Sequence, residues 1–513
     1  MIRRLVSGVA LSALAACSMQ PVYERPDAPV PPAFPNGDAY PAQSEAGLPI
    51  VSYTQIFGDP RLQSIIEQAL VNNRDLRIAA ANIAATRAQY RIQRSALFPE
   101  VTTGAGVSIA DRGNSGVNQG FGTGTGGTGA GAEAGAGAGA GAGNGGTGNS
   151  GSGVTEIYSV DVGITAFELD LFGRIRSLSD SALNQYFATE AAARATRLTL
   201  VGDIATAWLT YAADRSLLTI AEQTAESAQR SVSLTRARLQ GGIAPRTDLR
   251  QAELILTQAQ SDLAQQRTLL AQDINALQLL AGAPIDQTLL PASIEEAAPT
   301  LGEVPAGLDS TVLLRRPDVV QAEYQLRSAN ADIGAARAEL FPRISLTGVL
   351  GLASTALGSL FSGDAFNWSV SPNVDYSIFR AGAGRANVRF TEAQRDAAVA
   401  TYERSIQTAF REVSDGLARR GTIAEQLRAD TAQVAASQDN FVLTDARYRG
   451  GIDTFLASLD AQRSLYQSQR TLVGTRLTQA TNLVTLYRTL GGDTQLVATD
   501  NGPVPVAATS PAQ

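Results

Sequence analysis

The sequence predicts a mixed α and β membrane protein, in which strands from several chains share one β-barrel and long helices form a coiled-coil barrel. Two periodicities predict these elements. Apolar residues recur at every seventh position over long segments, and apolar and polar residues alternate over four short ones. The arrangement occurs twice in 513 residues, which predicts an internal twofold repeat. Four strands are too few to close a membrane barrel, so several chains must contribute to it.

Residues 1–16 have the pattern of a signal peptide. Arg3 and Arg4 make a basic start, and the short apolar run that follows ends in the sequence LAAC. The run is too short to span a bilayer as a helix. It resembles a bacterial lipoprotein signal, which predicts cleavage before Cys17 and lipidation of that residue; a buried structural cysteine is the alternative. Residues 17–50, which begin with a proline-rich stretch, are expected to form a lipid-anchored, extended tether.

Long helices are predicted in both halves of the chain. Residues 174–240 and 385–449 contain no proline, and each would span about 100 Å as one helix at 1.5 Å per residue. Heptad stripes on shorter segments predict helices that bury against other helices. The stripes are Leu62, Ala69, Leu76, Ile83, Tyr90 and Leu97; Leu249, Leu256, Leu263, Leu270 and Leu277; and Val312, Val319, Leu326, Ile333 and Leu340.

The internal repeat is visible as two constant offsets. Residues 75–99 match residues 318–342 at an offset of 243, and residues 235–243 match residues 444–452 at an offset of 209. Each half therefore contains a short helix, a gap, a long helix, a Gly-Gly turn and another short helix. The predicted boundaries are a first repeat over 51–285, a connecting segment over 286–316, a second repeat over 317–492 and a flexible C-terminal tail over 493–513.

The gaps between short and long helices have a period of two, which predicts strands with one apolar and one polar face. In the clearest of them, residues 367–378, the apolar face includes Trp368, Val370, Val374 and Tyr376. The same alternation occurs in 158–166 and, more weakly, in 101–110 and 344–352. A half-buried soluble sheet is the alternative for any one strand, but a wholly polar opposite face suits a barrel with a water-filled lumen, in which these four side chains face lipid.

Between the first two strands lies a stretch of glycine and alanine at residues 122–153. Such a composition cannot build a core, so it predicts a flexible loop that joins a hairpin. A linker between domains is the alternative interpretation.

Composition excludes most enzyme chemistry. The chain has no histidine, one cysteine and two methionines, which excludes histidine-based catalysis and ordinary zinc or redox sites. We therefore expect no catalytic residues, no metal and no cofactor. A formal net charge of −7 argues against nucleic acid as a partner.

Four motifs carry a family resemblance: FGDPRLQSIIEQALVNNRDLRIAAANIAATRAQYRIQRSALFPE, FELDLFGRIRS, LLRRPDVVQAEYQLRSANADIGAARAELFPRISLTG and AFREVSDGLARRGT. They resemble the TolC-type outer-membrane efflux proteins, most closely the OprM-like lipoprotein branch. The resemblance covers residues 51–492. It implies a homotrimer in the outer membrane of a Gram-negative bacterium, with one twelve-strand barrel, a helical tunnel through the periplasm and an equatorial position for residues 286–316. Asp309 stands where members of this family tend to carry proline.

The function that this resemblance implies is the outer-membrane channel of a tripartite efflux system for drugs or other small toxic compounds. Its partners would be a periplasmic membrane-fusion adaptor and an inner-membrane pump of the resistance-nodulation-division class. The pump must supply the energy, since the chain has no GxxxxGK phosphate loop. The alternatives are a TolC-like channel for type I protein secretion, a trimeric coiled-coil surface fibre or adhesin, and a soluble enzyme on a helical bundle. Strands inserted twice in mid-chain argue against the fibre.

Two groups of residues are candidate sites. Gly241, Gly242, Gly450 and Gly451 separate long from short helices, so they are predicted to form the tips of two helical hairpins. The resemblance implies that adaptor proteins pack against these tips, near Thr247 on the first; helix termination alone is the alternative.

The second group is Leu456, Asp460 and Arg463, whose spacing puts them on one face of a helix. The resemblance implies that this face forms the periplasmic aperture, where a leucine ring excludes water, an aspartate ring selects cations and Arg463 pairs with acids to hold the helices closed. A solvated surface pair is the alternative.

Overall fold

The structure, a computed structural model, describes residues 19–40, 52–111, 154–301 and 309–506. Cys17, the predicted signal peptide and the loop at 122–153 lie outside the described residues. The chain divides into two compact units. The sheet unit comprises residues 1–21, 91–180 and 331–391, and the helical unit comprises residues 22–90, 181–330 and 392–513.

The described elements follow one another in an order that occurs twice: a 22-residue helix, two strands, a 67-residue helix and a helix of 36 or 35 residues. In chain order they are α1 Tyr53–Ile56, α2 Pro60–Asn72, α3 Arg74–Ser95, β1 Val101–Asp111, β2 Val154–Glu168, α4 Arg174–Gln240, α5 Arg246–Ala281, α6 Ile294–Ala297, α7 Pro317–Ala338, β3 Arg343–Ser354, β4 Phe366–Asp375, α8 Ala383–Arg449, α9 Phe455–Thr489, β5 Leu496–Thr499 and β6 Gly502–Pro505.

Local sequence explains where several helices begin. Asp59 accepts a hydrogen bond from the backbone N–H of Arg61 at 2.8 Å and so caps α2, whose first residue is Pro60. Asp309 caps a short 3₁₀ helix, Ser310–Arg315, by accepting from the N–H of Thr311 at 3.0 Å. Among the described helices, none is long and apolar enough to cross a membrane.

The sheet unit contains an antiparallel meander in the order β1-β2-β3-β4. Its register places Val101 opposite Ile164, Val162 opposite Leu350, and Leu350 opposite Trp368. Residues that face each other across antiparallel strands share a face of the sheet, so the apolar side chains of all four strands collect on one side. That side is open: Trp368 is 68 % exposed, and Val101, Leu350, Val370 and Val374 are exposed as well.

The prediction for the last strand extends too far. β4 ends at Asp375, which pairs with Arg343, so Tyr376 lies beyond the strand and outside the alternation. The physical reason is in the partner strand: β3 begins at Arg343, so no residue of β3 lies opposite Tyr376 to continue the ladder. Tyr376 is exposed.

The helical unit has one large apolar core. Trp208, Tyr402 and Tyr487 are among its largest fully buried side chains. The indole N–H of Trp208 donates to the carbonyl oxygen of Leu289 at 3.1 Å, and Phe57 meets Tyr487 edge-on at 5.5 Å between ring centroids. These contacts satisfy the polar atom of a buried aromatic ring while burying its apolar surface.

The described part of the predicted N-terminal tether is packed rather than loose. Phe34 is buried and stacks on Phe410 at 5.0 Å. The N–H of Ser310 donates to the carbonyl oxygen of Pro32 at 3.0 Å. Arg25 forms a salt bridge with the buried carboxylate of Glu323 at 2.9 Å. An extended segment has therefore become part of the helical unit, because its aromatic and charged side chains find partners there.

The prediction of a flexible tail is wrong for residues 493–506. Residues Gly492–Thr494 form a 3₁₀ turn, and β5 and β6 form a hairpin. Leu496 is fully buried beside Phe187 and Tyr324. The hydroxyl of Tyr324 donates to the carbonyl oxygen of Thr499 at 2.8 Å and accepts from its N–H at 2.9 Å.

Candidate functional site

The two hairpin tips have the same backbone. In the first, the N–H of Gly241 donates to the carbonyl of Ala237 at 3.0 Å; in the second, that of Gly450 donates to the carbonyl of Ala446 at 3.0 Å. Gly242 and Gly451 both have a φ of 75°, which requires glycine because an L side chain is strained there.

The same tips are also open to solvent. All four glycines are exposed, and a Cβ placed on Gly242 or Gly451 would meet no atom within 4 Å. Thr247 is exposed in the first turn of α5. Helix termination therefore explains the glycines, and the space above them is free for a partner.

Sequence reasoning missed an apolar side chain at each tip. Ile243 is 78 % exposed and Ile452 is 69 % exposed, directly after the glycine pairs. The signal was present, because GGI recurs at the offset of 209. The second tip also carries an ion pair, in which Arg447 donates to Asp453 at 2.6 Å and 3.0 Å. Hydrogen bonds from Arg447 hold the pKa of Asp453 below its usual range.

Leu456, Asp460 and Arg463 lie together on the exposed face of α9, as their spacing predicts. Leu456 is 61 % exposed. The adjacent face of the helix packs through Phe455 and Leu459 into an apolar cluster with other residues of the tips. Among the described residues of one chain, Arg463 has no ion-pair partner, so the predicted pairing with acids is not made within the chain.

A cavity of about 530 Å³ lies beside these residues, and Asp460 and Arg463 line it. On its wall, the hydroxyl of Tyr466 in α9 donates to Asp262 of α5 at 2.9 Å. The amide of Gln258 donates to the other carboxylate oxygen of Asp262 at 2.8 Å. Burial, followed by the hydrogen bond to Asp262, raises the pKa of Tyr466 to about 12. Sequence reasoning missed this pair because 204 residues separate its members.

The polar face of the sheet carries Asp161 near the middle of β2. Gly104 and Gly351 lie opposite it on the two neighbouring strands. A Cβ on Gly104 would come within 3.1 Å of the Asp161 carboxylate, so glycine leaves room for this side chain. Trp368, Val370 and Val374 lie on the other face, as predicted from the alternation.

Comparison with known proteins identifies the family. The sequence profile of the family described as outer membrane efflux protein matches residues 65–283 and 308–492. An antibiotic efflux pump outer membrane protein, ArpC, and a toluene efflux pump outer membrane protein, TtgC, both from Pseudomonas putida, are each 43 % identical over 488 residues, which cover 93 % of this chain and 93 % of each relative.

Solved structures agree with this assignment. The outer membrane channel MtrE of Neisseria gonorrhoeae, in its open state, is 33 % identical, with a TM-score of 0.77 over 93 % of this chain and 98 % of MtrE. The chain therefore belongs to the family of outer membrane efflux proteins and is a transport protein of the Gram-negative outer membrane.

Proposed function

We propose that the protein works as a homotrimer, in which the sheets of three chains form one barrel in the outer membrane. The observation that carries this proposal is that the four-stranded sheet has unpaired edges and an exposed apolar face. Among the residues that the structure describes, β1 pairs only with β2 and β4 only with β3, so both outer edges lack a partner in this part of the chain. Unpaired edges and an exposed apolar face are unfavourable in water, and a closed barrel in lipid satisfies both. Three copies of four strands give twelve, within the range of membrane barrels.

The short helix α3 supports the same assembly. It has no buried residue within the chain, although its heptad stripe at Leu76, Ile83 and Tyr90 is half-buried. An apolar stripe that its own chain covers only in part is expected to pack against a helix of a neighbouring chain. In the trimer this contact would extend the wall of the helical tunnel.

The partners in this proposal are a periplasmic membrane-fusion adaptor and an inner-membrane pump of the resistance-nodulation-division class. The open surface at Gly241, Gly242, Gly450 and Gly451, with Thr247 beside the first pair, supports docking of the adaptor at the hairpin tips. The relatives named as antibiotic and toluene efflux proteins support antibiotics and aromatic solvents as cargo. Cys17 would carry the lipid that anchors the chain to the outer membrane.

The exposed face of α9 supports an aperture. Threefold symmetry would bring Leu456, Asp460 and Arg463 of each chain towards one axis, where an aspartate ring favours cations. We expect Asp460→Ala to weaken cation selectivity in planar bilayers and Leu456→Ala to enlarge the resting conductance. Unchanged single-channel currents in both variants would rule out an aperture at this face.

The barrel can be tested at two neighbouring residues of β4. Val374→Arg should cost about 2 to 4 kcal/mol if the residue faces lipid near the middle of the bilayer, and should lower the yield of trimer in outer-membrane fractions. Asn373→Arg is the matched control, because its side chain lies on the polar face. Equal yields of trimer from both variants would contradict the orientation.

The cargo is tested by deleting the gene and measuring susceptibility to antibiotics, toluene and detergents, with wild-type and Gly242→Trp chains for complementation. Increased susceptibility that wild type reverses, and that Gly242→Trp does not, is the expected result. Unchanged susceptibility together with loss of a secreted protein would favour type I secretion instead.

A further inference from the structure

A groove of about 400 Å³ crosses the apolar face of the four-stranded sheet. Residues of all four strands line it, and those on the apolar face carry no polar or charged side chain. They include Val101 of β1, Ile164 of β2, Gly348 and Leu350 of β3, and Trp368 and Val370 of β4.

Gly348 creates this groove. It lies in a row across the sheet in which Ile164 pairs with Gly348 and Gly348 pairs with Val370. The branched side chains on either side leave a gap at the glycine, where an added Cβ would meet no atom within 4 Å. The residue that matches Gly348 at the offset of 243 is Ala105, which does not line the groove. The groove is therefore particular to the second repeat.

A lipid acyl chain suits the groove, because the chain is an outer-membrane protein and this face of its sheet is apolar. Apolar atoms that border an empty gap lose van der Waals contacts on one side, and a methylene chain in the gap restores them. Val370 lies five residues before Asp375, the end of β4, which is about 17 Å along the strand at about 3.3 Å per residue. In a strand tilted by about 40° this is a depth of about 13 Å, within the half of a hydrocarbon core of about 30 Å that the chains of one leaflet fill.

The charges at the two ends of the sheet indicate which lipid supplies the acyl chain. Where β4 leads into α8, a cavity of about 700 Å³ is lined by Arg343, Arg380 and Arg385 and by two carboxylates, Glu339 and Asp375, so that one positive charge is in excess. Positive charge at a membrane surface attracts anionic head groups.

The other end of the sheet is acidic. Glu156 and Asp364 are exposed there, and the described residues 107–111, 154–158 and 352–366 include no lysine or arginine. The anionic head group is therefore expected at the end that leads into α8, which faces the periplasm in the proposed trimer.

We propose that the groove at Gly348 binds an acyl chain of an anionic phospholipid from the periplasmic leaflet, with the phosphate at the arginines where β4 leads into α8. The inference rests on the proposed function, because it requires the sheet to lie in the membrane with its apolar face towards lipid.

Trp368 makes the site measurable by fluorescence. The chain has two tryptophans, and the other, Trp208, is fully buried in the helical unit. Purified trimer is reconstituted in phosphatidylcholine vesicles with increasing mole fractions of phosphatidylglycerol whose acyl chains carry bromine, a short-range quencher of tryptophan. A Trp368→Phe protein gives the signal of Trp208 to be subtracted. We expect half of the quenching of Trp368 at a mole fraction of brominated phosphatidylglycerol several-fold lower than that of brominated phosphatidylcholine.

Variants of two matching positions test the groove itself. Gly348→Leu fills the gap, which has room for a side chain, and should abolish the preference for phosphatidylglycerol. Ala105→Leu adds the same side chain to the same face outside the groove and should keep the preference. If Gly348→Leu assembles poorly, Gly348→Ala should lower the preference by a smaller factor. Replacing Arg380 and Arg385 together by glutamine should lower it without changing quenching by phosphatidylcholine.

The lipid site is overturned if both brominated lipids quench wild type at the same mole fraction, or if the Gly348 variants keep the full preference. Relief of quenching by unbrominated lipopolysaccharide, and not by unbrominated phosphatidylglycerol, would contradict the periplasmic source. A Trp368 that no brominated lipid quenches contradicts the proposed function, because the apolar face then lies outside the bilayer. Equal quenching by the two lipids contradicts only the site.

Discussion

The helices α3 and α7 have matching sequences but opposite surroundings. Within the chain, no residue of α3 is buried, and Ile78 and Ile92 are 57 % and 63 % exposed. Every residue of α7 is buried or half-buried. The heptad stripe is the same in both, with Leu76 matched by Val319 and Ile83 by Leu326. The comparison teaches that a heptad pattern predicts which face of a helix is covered and does not predict which chain covers it.

Part of the cover on α7 comes from the N-terminal segment and from the β5–β6 hairpin. In the helical unit, Arg25 of the N-terminal segment binds Glu323, and the β5–β6 hairpin packs on Tyr324. In the sheet unit, Ser177 and Gln20 lie so close to Gly334 that a Cβ there would be 2.7 Å from the first and 2.8 Å from the second. Other segments of the same chain thus cover α7, whereas α3 keeps an exposed surface.

The largest effect is expected from Glu323→Ala. The carboxylate of Glu323 is 1 % exposed and pairs with Arg25 and Arg327, so its removal leaves two arginines without their shared partner. The expected loss is about 3 kcal/mol of unfolding free energy, measured by urea unfolding in detergent. The matched change in α3, Ala80→Glu, adds a charge at an exposed position and should change stability by less than about 0.5 kcal/mol. Equal losses of unfolding free energy in the two variants would contradict the difference between α7 and α3.

A smaller effect is expected from Gly334→Leu, because the new side chain would meet the backbone of Gln20 and the hydroxyl of Ser177. Overpacking of this kind should cost about 2 kcal/mol and lower the melting temperature. Arg91→Leu is the matched change in α3 and should leave the melting temperature of the isolated chain unchanged. A Gly334→Leu protein as stable as wild type would show that the segment on α7 is easily displaced.

The carboxyl groups of Asp214 and Asp273 lie in the same chain, so their titration should change the stability of the chain without changing its assembly. Burial and the neighbouring Asp214 raise the pKa of Asp273 to about 7, and burial raises the pKa of Asp214. A raised pKa means that the folded state binds the proton more tightly than the unfolded state. The stabilisation is therefore complete below pH about 4 and is lost as pH rises through about 7.

The variant Asp273→Asn tests this pair. It keeps a hydrogen bond to Asp214 without the second charge, so the fall in unfolding free energy between about pH 5 and 8 should become flatter by about 1 kcal/mol. The measurement is a series of unfolding curves over that range. A fall as steep as that of wild type would assign the pH dependence to other groups.

The smallest effect on the chain itself is expected from Ile78→Ser in α3. The side chain is exposed, so the unfolding free energy of the monomer should change by less than about 0.5 kcal/mol. If a neighbouring chain covers this side chain in the proposed trimer, the trimer should dissociate at a lower detergent concentration than wild type. A trimer of unaltered stability would show that Ile78 lies outside the interface, and would restrict the contact to the heptad stripe.

Sequence patterns predicted those parts of the structure that depend on local periodicity. The 67-residue helix α4 has the predicted bounds, and the alternation through Trp368, Val370 and Val374 is observed. Leu456, Asp460 and Arg463 share an exposed face, because three- and four-residue spacing determines this in any helix.

Features that depend on distant partners were not predictable in the same way. The β5–β6 hairpin consists of two four-residue strands, too short for a clear alternation, and Leu496 is buried by Phe187 and Tyr324. The pairing of Tyr466 with Asp262 and that of Arg238 with the end of α8 cross between hairpins that are far apart in sequence. The prediction that the last strand extends through Tyr376 was wrong, because β4 ends at Asp375, opposite the first residue of β3.

The ion pairs around Arg327 have a consequence for the order in which the chain acquires its structure. Arg25 near the start and Asp500 near the end bind the same short stretch of α7, through Glu323 and Arg327. Arg25 is made about 300 residues before Glu323, so loop closure over that distance makes this contact slow to form. Asp500 is made later still. The helical unit is therefore completed only after residue 500 has been delivered, and a chain terminated before that residue leaves Arg327 without this partner.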